Sequence, residues 1–262
     1  MTTYSVLEMT LKRDRLVVLA GLAGATVLSW IYLVKMARDM QAMAVNMGME
    51  MNVPCTMPWS ISDTIMMFTM WTIMMVGMMI PTASPMILVF AAYARRQREK
   101  NQPYVPAGAF LCGYLIVWTA FSLIATVLQW GLHKAALLSM MLVSTSAVFG
   151  GVLLIAAGLF QLTPLKNACL RHCRSPLQFF MGHWRPGVMG ALRMGLEHGY
   201  YCLGCCWILM ALLFVGGVMN LLWVAAITVF VLIEKAAPYG HYVGRVCGAC
   251  LILAGVYLIT TV

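Results

Sequence analysis

Seven stretches of this chain are apolar for long enough, or nearly long enough, to cross a lipid bilayer: Leu16–Val34, Ile61–Ile80, Ala107–Leu132, Leu137–Leu159, Gly199–Val218, Leu221–Ile233 and Val246–Val262. A helix needs about 20 apolar residues to span the hydrocarbon core, where no water is present to satisfy the backbone. The last two runs are short, and "GGVMN" ties the fifth to the sixth, so that pair reads as a tight hairpin, tilted or partly hidden behind its neighbours. With 62% hydrophobic and 10% charged residues among 262, the chain carries more apolar surface than a water-facing core can hide. The expected fold is all-α: a polytopic transmembrane bundle of six or seven helices, in a single integral membrane domain over residues 1–262. The first run has no small-residue cleavage site behind it and reads as a retained helix.

A formal charge of +9 would suggest nucleic acid for a soluble domain, but these bases occupy short loops between apolar runs. Lys12, Arg13 and Arg15 precede the first run; Arg95, Arg96, Arg98 and Lys100 follow the second. Lys166, Arg171, Arg174, Arg185 and Arg193 follow the fourth, and Lys235 and Arg245 flank the sixth-to-seventh turn. A cytoplasmic N-terminus puts all of these inside and leaves only Lys35, Arg38 and Lys134 outside, as the positive-inside rule requires. The expected location is a bacterial inner membrane, crossed several times, with the lipid bilayer and no nucleic acid as partner.

Two connections exceed what a hairpin needs: an outer methionine-rich one over residues 35–60 and an inner amphipathic one over 161–198. In the outer one Met36, Met40, Met43 and Met47 recur at helical spacing; in the next run Met66, Met70, Met74 and Met78 recur every fourth residue, with Met67, Met75 and Met79 alongside. Methionine rows are ordinarily packing. The chain nevertheless holds 24 of them, and a polar-interrupted loop offers a filler little to fill. A thioether is a soft, neutral ligand suited to Cu(I). Pro81 and Pro85, at the expected inner end of the second run, free carbonyls that a neighbour or water must satisfy.

The stretch "EHGYYCLGCCW" places Glu197, His198, Cys202, Cys205 and Cys206 at the expected inner end of the fifth helix. His198 and the three cysteines share about a third of the helix circumference. One helix does not wrap a metal tetrahedrally, and "TPLKNACLRHCRSP" offers Cys169, His172 and Cys173 from the same side of the membrane. A reducing compartment there argues against a disulfide framework and favours metal binding, with a CxxC redox pair as a lesser alternative. Cys112, Cys247 and Cys250 read as packing, Cys55 has no evident disulfide partner, and His133 and His183 read as interfacial. Glu234, Lys235 and His241 add charge and an imidazole on the inner side, where Glu234–Lys235 also reads as a plain anchor for a helix end.

The motifs "WTIMMVGMMIPTASPM", "QLTPLKNACLRHCRSP", "HGYYCLGCCWILM", "GGVMNLLW" and "IEK" resemble those of a bacterial family of predicted metal-binding integral membrane proteins, a domain of unknown function, over roughly Trp59 to Lys235. Gly77 stands where that pattern expects Ala, and Phe160 where it expects Tyr. The resemblance implies a membrane fold and metal binding; it implies no substrate.

Two functions compete. In the first, thioethers Met70, Met74 and Met78 and the cluster His198, Cys202, Cys205, Cys206, Cys169, Cys173 and His172 capture, move or deliver copper, most simply as Cu(I), to another membrane protein or a metallochaperone. Iron and zinc are the other metals such donors accept. In the second, a copper-dependent membrane oxidoreductase or monooxygenase, or a subunit of one, draws ligands from His172, His198, His241, Glu197 and Glu234. Against it, the histidines lack the dense HxxxH or HxxHH clustering of a di-iron hydroxylase, and thiolates beside an oxygen-activating metal oxidise. A third, purely structural role predicts no bindable metal.

Overall fold

A computed structural model describes residues 2–46, 59–99, 105–139, 142–144 and 146–261. They form α1 (Thr2–Asn46), α2 (Ile61–Glu99), α3 (Ala107–Lys134), α4 (Ala147–Leu162), α5 (Pro164–Arg174), α6 (Pro176–His183), α7 (Gly187–Ala211), α8 (Leu213–Gly216), α9 (Leu221–Ala236) and α10 (Gly240–Thr260). Among the described residues no strand occurs beyond one isolated bridge between Leu138 and Ser144, so the fold is all-α as expected.

Five of these helices are long and apolar enough to cross a membrane, and the pair α4–α5, bent by 65°, makes a sixth if it counts as one broken span. Of the expected six or seven, six is reached when that pair counts as a span and seven is not: α4 and α9 are only 16 residues each, short of the length a span needs on its own. The run Leu137–Leu159 is not one helix. Ser139, Ser144 and Ser146 divide it, Ala136 and Leu142 take positive φ (54° and 57°), and the Ser146 side chain caps α4 by accepting from the Phe149 amide. The segment before that cap turns back on the α8 region, where the Ser144 amide donates to the Phe214 carbonyl at 2.8 Å.

Two boundaries also move. α2 does not end at Pro81 and Pro85 but continues to Glu99. Pro85 has no amide hydrogen for the carbonyl of Pro81, and the Ser84 hydroxyl takes that place at 2.8 Å. α7 starts at Gly187, not Gly199, so Cys202 to Cys206 lie beyond the middle of the helix and not at its inner end. Arg193 interrupts the apolar pattern but is exposed, which lets the helix pass through it.

Small residues decide how the helices meet. A Cβ on Gly113 of α3 would strike the Leu192 carbonyl, and one on Gly195 of α7 would strike that of Phe110, so these two backbones touch. Gly151 and Gly158 of α4 meet Gly255 and Gly248 of α10 in the same way. Gly77 faces α1, where its Cβ would sit 3.1 Å from that of Ser29. Phe160 sets its ring edge-on to Trp207, 5.8 Å between centroids. Around α2 the packing closes completely: Met70, Trp71, Met74, Met75, Met78, Met79 and Phe90 are wholly buried.

Candidate metal centre

Cys202, Cys205 and Cys206 face inward from α7 and are buried. α5 packs across this face because the chain turns sharply at Thr163, whose hydroxyl caps α5 by accepting from the Lys166 amide, with Pro164 in the first turn. That turn brings Cys173 onto the α7 cysteines. The Cys202 thiol has those of Cys173, Cys205 and Cys206 as close neighbours, and Cys205 also neighbours Cys173 and Cys206. The thiols of Cys205 and Cys206 donate to the Cys202 carbonyl at 3.0 and 2.9 Å. Cys169, half-buried, lies at the edge against Gly204, where a Cβ would come within 2.9 Å of its sulfur.

α5 is held down at both ends. The Lys166 ammonium pairs with the Glu234 carboxylate of α9, both side chains almost completely buried. The Arg174 guanidinium donates to the carbonyls of Ala237 and Pro238, at 2.5 and 2.8 Å, just past the end of α9.

Two further groups converge on Cys202. Lys235 of α9 brings its ammonium to 3.0 Å from the sulfur and 3.3 Å from the Thr82 hydroxyl. The Tyr114 hydroxyl of α3 lies 3.1 Å from the same sulfur and 3.3 Å from the Met79 carbonyl. Thr82 donates to that carbonyl at 3.0 Å and reaches the Met79 sulfur at 3.9 Å. The buried methionine row of α2 therefore ends one residue contact away from the thiols. At its other end the Met67 sulfur accepts from the Gln129 amide at 3.4 Å, and the Gln129 carbonyl oxygen accepts from the Trp71 indole.

Not every expected ligand joins the cluster. His198 is buried between the rings of Phe110 and Tyr114, with Phe179 edge-on, and its Nδ1 has no hydrogen-bond partner among the described residues. His172 stacks on Tyr201 at 4.1 Å with its Nδ1 3.0 Å from the Ala168 carbonyl. Glu234 is committed to Lys166, and His241 packs on Tyr242. Glu197 is half-buried on α7. Cys112 and Cys250 are exposed, and Cys247 is half-buried. Met47 and Cys55 lie outside the described residues, as does the side chain of His183.

No set of three or more His, Cys, Asp and Glu among the described residues is already arranged to hold a metal ion. Two of the thiols are turned onto the Cys202 carbonyl, so a metal would have to replace those hydrogen bonds. Sequence reading missed Tyr114 and Thr82, and read Lys235 as a helix anchor. A lysine in the apolar end of a helix was the available signal for the last; Tyr114 had none, because the α3–α7 glycine crossing alone brings it to Cys202.

The family model described as PpoB2, a copper chaperone, matches residues 68–258. That match runs past Lys235 and takes in nearly all of α10. No curated protein and no solved structure matches the chain.

Proposed function

The chain belongs to the PpoB2 copper-chaperone family, and on that premise we propose that it binds Cu(I) inside a bacterial inner membrane and passes it on, to another membrane protein or a metallochaperone. The observation that carries this reading is the contact among four thiols, Cys173, Cys202, Cys205 and Cys206, brought together from α5 and α7. Thiolates are soft donors that select Cu(I), and a two- or three-coordinate ion needs no more than two or three of the four. Cys169, at the edge of the cluster, is the secondary donor; His198 and His172 would have to leave their ring contacts to serve as exit ligands.

In this reading the thioethers of Met70, Met74 and Met78 are the weaker donors of a graded path, and the thiols its strong end. Neutral thioethers let a monovalent ion move through a buried column without proton release; the thiols then bind it by giving protons up. A cytoplasmic N-terminus, supported by the distribution of basic residues, puts the start of α7 and the connection that carries α5 toward the reduced side, with the thiols deeper along α7. Glu234, paired with Lys166 and separate from the thiols, acts here through the placement of α5 and not as a ligand.

The test is Cu(I) loading of the reduced, detergent-purified protein under anaerobic competition with a Cu(I) chelator, followed by X-ray absorption. The expected result is a sulfur-only shell in the wild type and loss of binding in Cys202→Ser/Cys205→Ser/Cys206→Ser. Wild-type protein that binds no Cu(I), or a triple variant that binds it equally well, rejects the assignment.

A further inference from the structure

Lys235 is the feature that neither packing nor ligation explains. Its ammonium is brought to the cluster, 3.0 Å from the Cys202 sulfur, with the Thr82 hydroxyl at 3.3 Å holding it in place. It is not a metal ligand while protonated, and its neighbour in sequence, Glu234, is already balanced by Lys166. Lys235 is half-buried, and a cation held against thiols in apolar surroundings costs free energy unless something supplies the opposite charge.

We propose that Lys235 determines cargo specificity by fixing the net charge that the thiol site accepts. The inference rests on the copper-binding reading above. When two thiols take one Cu(I) ion, two S–H bonds are replaced by two Cu–S bonds and two protons leave to the aqueous phase. The bis-thiolate complex carries one negative charge, which the Lys235 ammonium brings to zero. A divalent ion on the same two thiolates forms a neutral complex and leaves the ammonium uncompensated. It reaches neutrality only by taking a third thiolate and expelling a third proton. The position of one fixed cation thus favours a monovalent soft ion over Zn(II) at a site whose sulfurs by themselves would accept either.

The experiment measures Cu(I) and Zn(II) affinities, each by chelator competition, in the full-length reduced protein and in Lys235→Met, Lys235→Gln and Lys235→Arg. Removing a unit charge a few ångströms from the complex lowers the ratio of Cu(I) to Zn(II) affinity by on the order of tenfold or more in the Met and Gln variants, and Arg restores it. Gln keeps a hydrogen-bonding head near Thr82, so it reports on charge if the Met variant does not fold. An unchanged ratio in a folded, metal-binding Met or Gln variant overturns the specificity role and leaves the copper site standing. A wild-type protein that binds no Cu(I) overturns both.

Discussion

Replacing Lys166 by Met separates the role of the α5 latch from that of the thiols themselves. The Lys166 and Glu234 side chains are 1% and 3% exposed, so solvent screens neither charge. Removing one partner strands the other, and breaking a pair so buried costs about 3–5 kcal/mol. The stranded carboxyl can limit the loss by taking a proton. For an ordinary glutamate near pKa 4.3, protonation at pH 7 costs about 3.7 kcal/mol, which sets a similar ceiling. Lys166→Met/Glu234→Met removes both charges and replaces them with apolar groups of comparable length, and should recover most of the deficit. Tryptophan fluorescence during thermal denaturation in detergent gives the order wild type ≈ double variant > Lys166→Met. The sign with pH is also determined: lowering the pH toward 5 neutralises the lone carboxyl, so the single variant's deficit shrinks, whereas the double variant shows no such change. Because Lys166 shares α5 with Cys173, the single variant also weakens Cu(I) binding. A Lys166→Met cost below about 1 kcal/mol, the range of a solvated surface pair, would refute the view that this pair holds α5 against α7.

Tyr114→Phe removes the hydroxyl between Cys202 and Met79, both of which keep another donor, Lys235 and Thr82 respectively. It should cost about 0.5–1.5 kcal/mol in thermal stability and leave the fold intact by circular dichroism. Gly195→Leu drives a side chain into the Phe110 backbone and forces α3 from α7; little monodisperse protein should survive gel filtration in detergent. Met70→Leu/Met74→Leu/Met78→Leu keeps volume and should cost under about 1.5 kcal/mol per site. If the thioethers carry copper, the triple variant loads the thiols more slowly in stopped-flow mixing while its equilibrium Cu(I) affinity is unchanged; equal rates assign the row to packing alone.

How much was legible in the sequence differs from one element to the next. Helices α1, α2, α3, α7 and α10 announce themselves because a helix able to cross a bilayer must be apolar along a length set by its thickness, a property of local composition. The serines that cap and divide 137–159, and the Ser84 hydroxyl that carries α2 through Pro85, act by single hydrogen bonds, and a hydropathy run averages over them. The cysteines of α5 and α7 could be assigned to one face each by helical spacing. That Cys173 reaches Cys202 while His172 turns to Tyr201 depends on the 65° bend at Thr163 and on latches more than 60 residues distant in the chain.

The all-α class, the helices long and apolar enough to cross a membrane and the soft character of the donors are all local properties, since each follows from residue type and spacing within one segment. Which donors meet is a matter of how the helices pack. Tyr114, Thr82 and Lys235 arrive at Cys202 from three other helices, through a glycine crossing between α3 and α7 and a continuous, proline-tolerant α2. Contacts of that kind are made by the relative placement of helices, which close packing of small residues and buried charge pairs settles and no local pattern encodes.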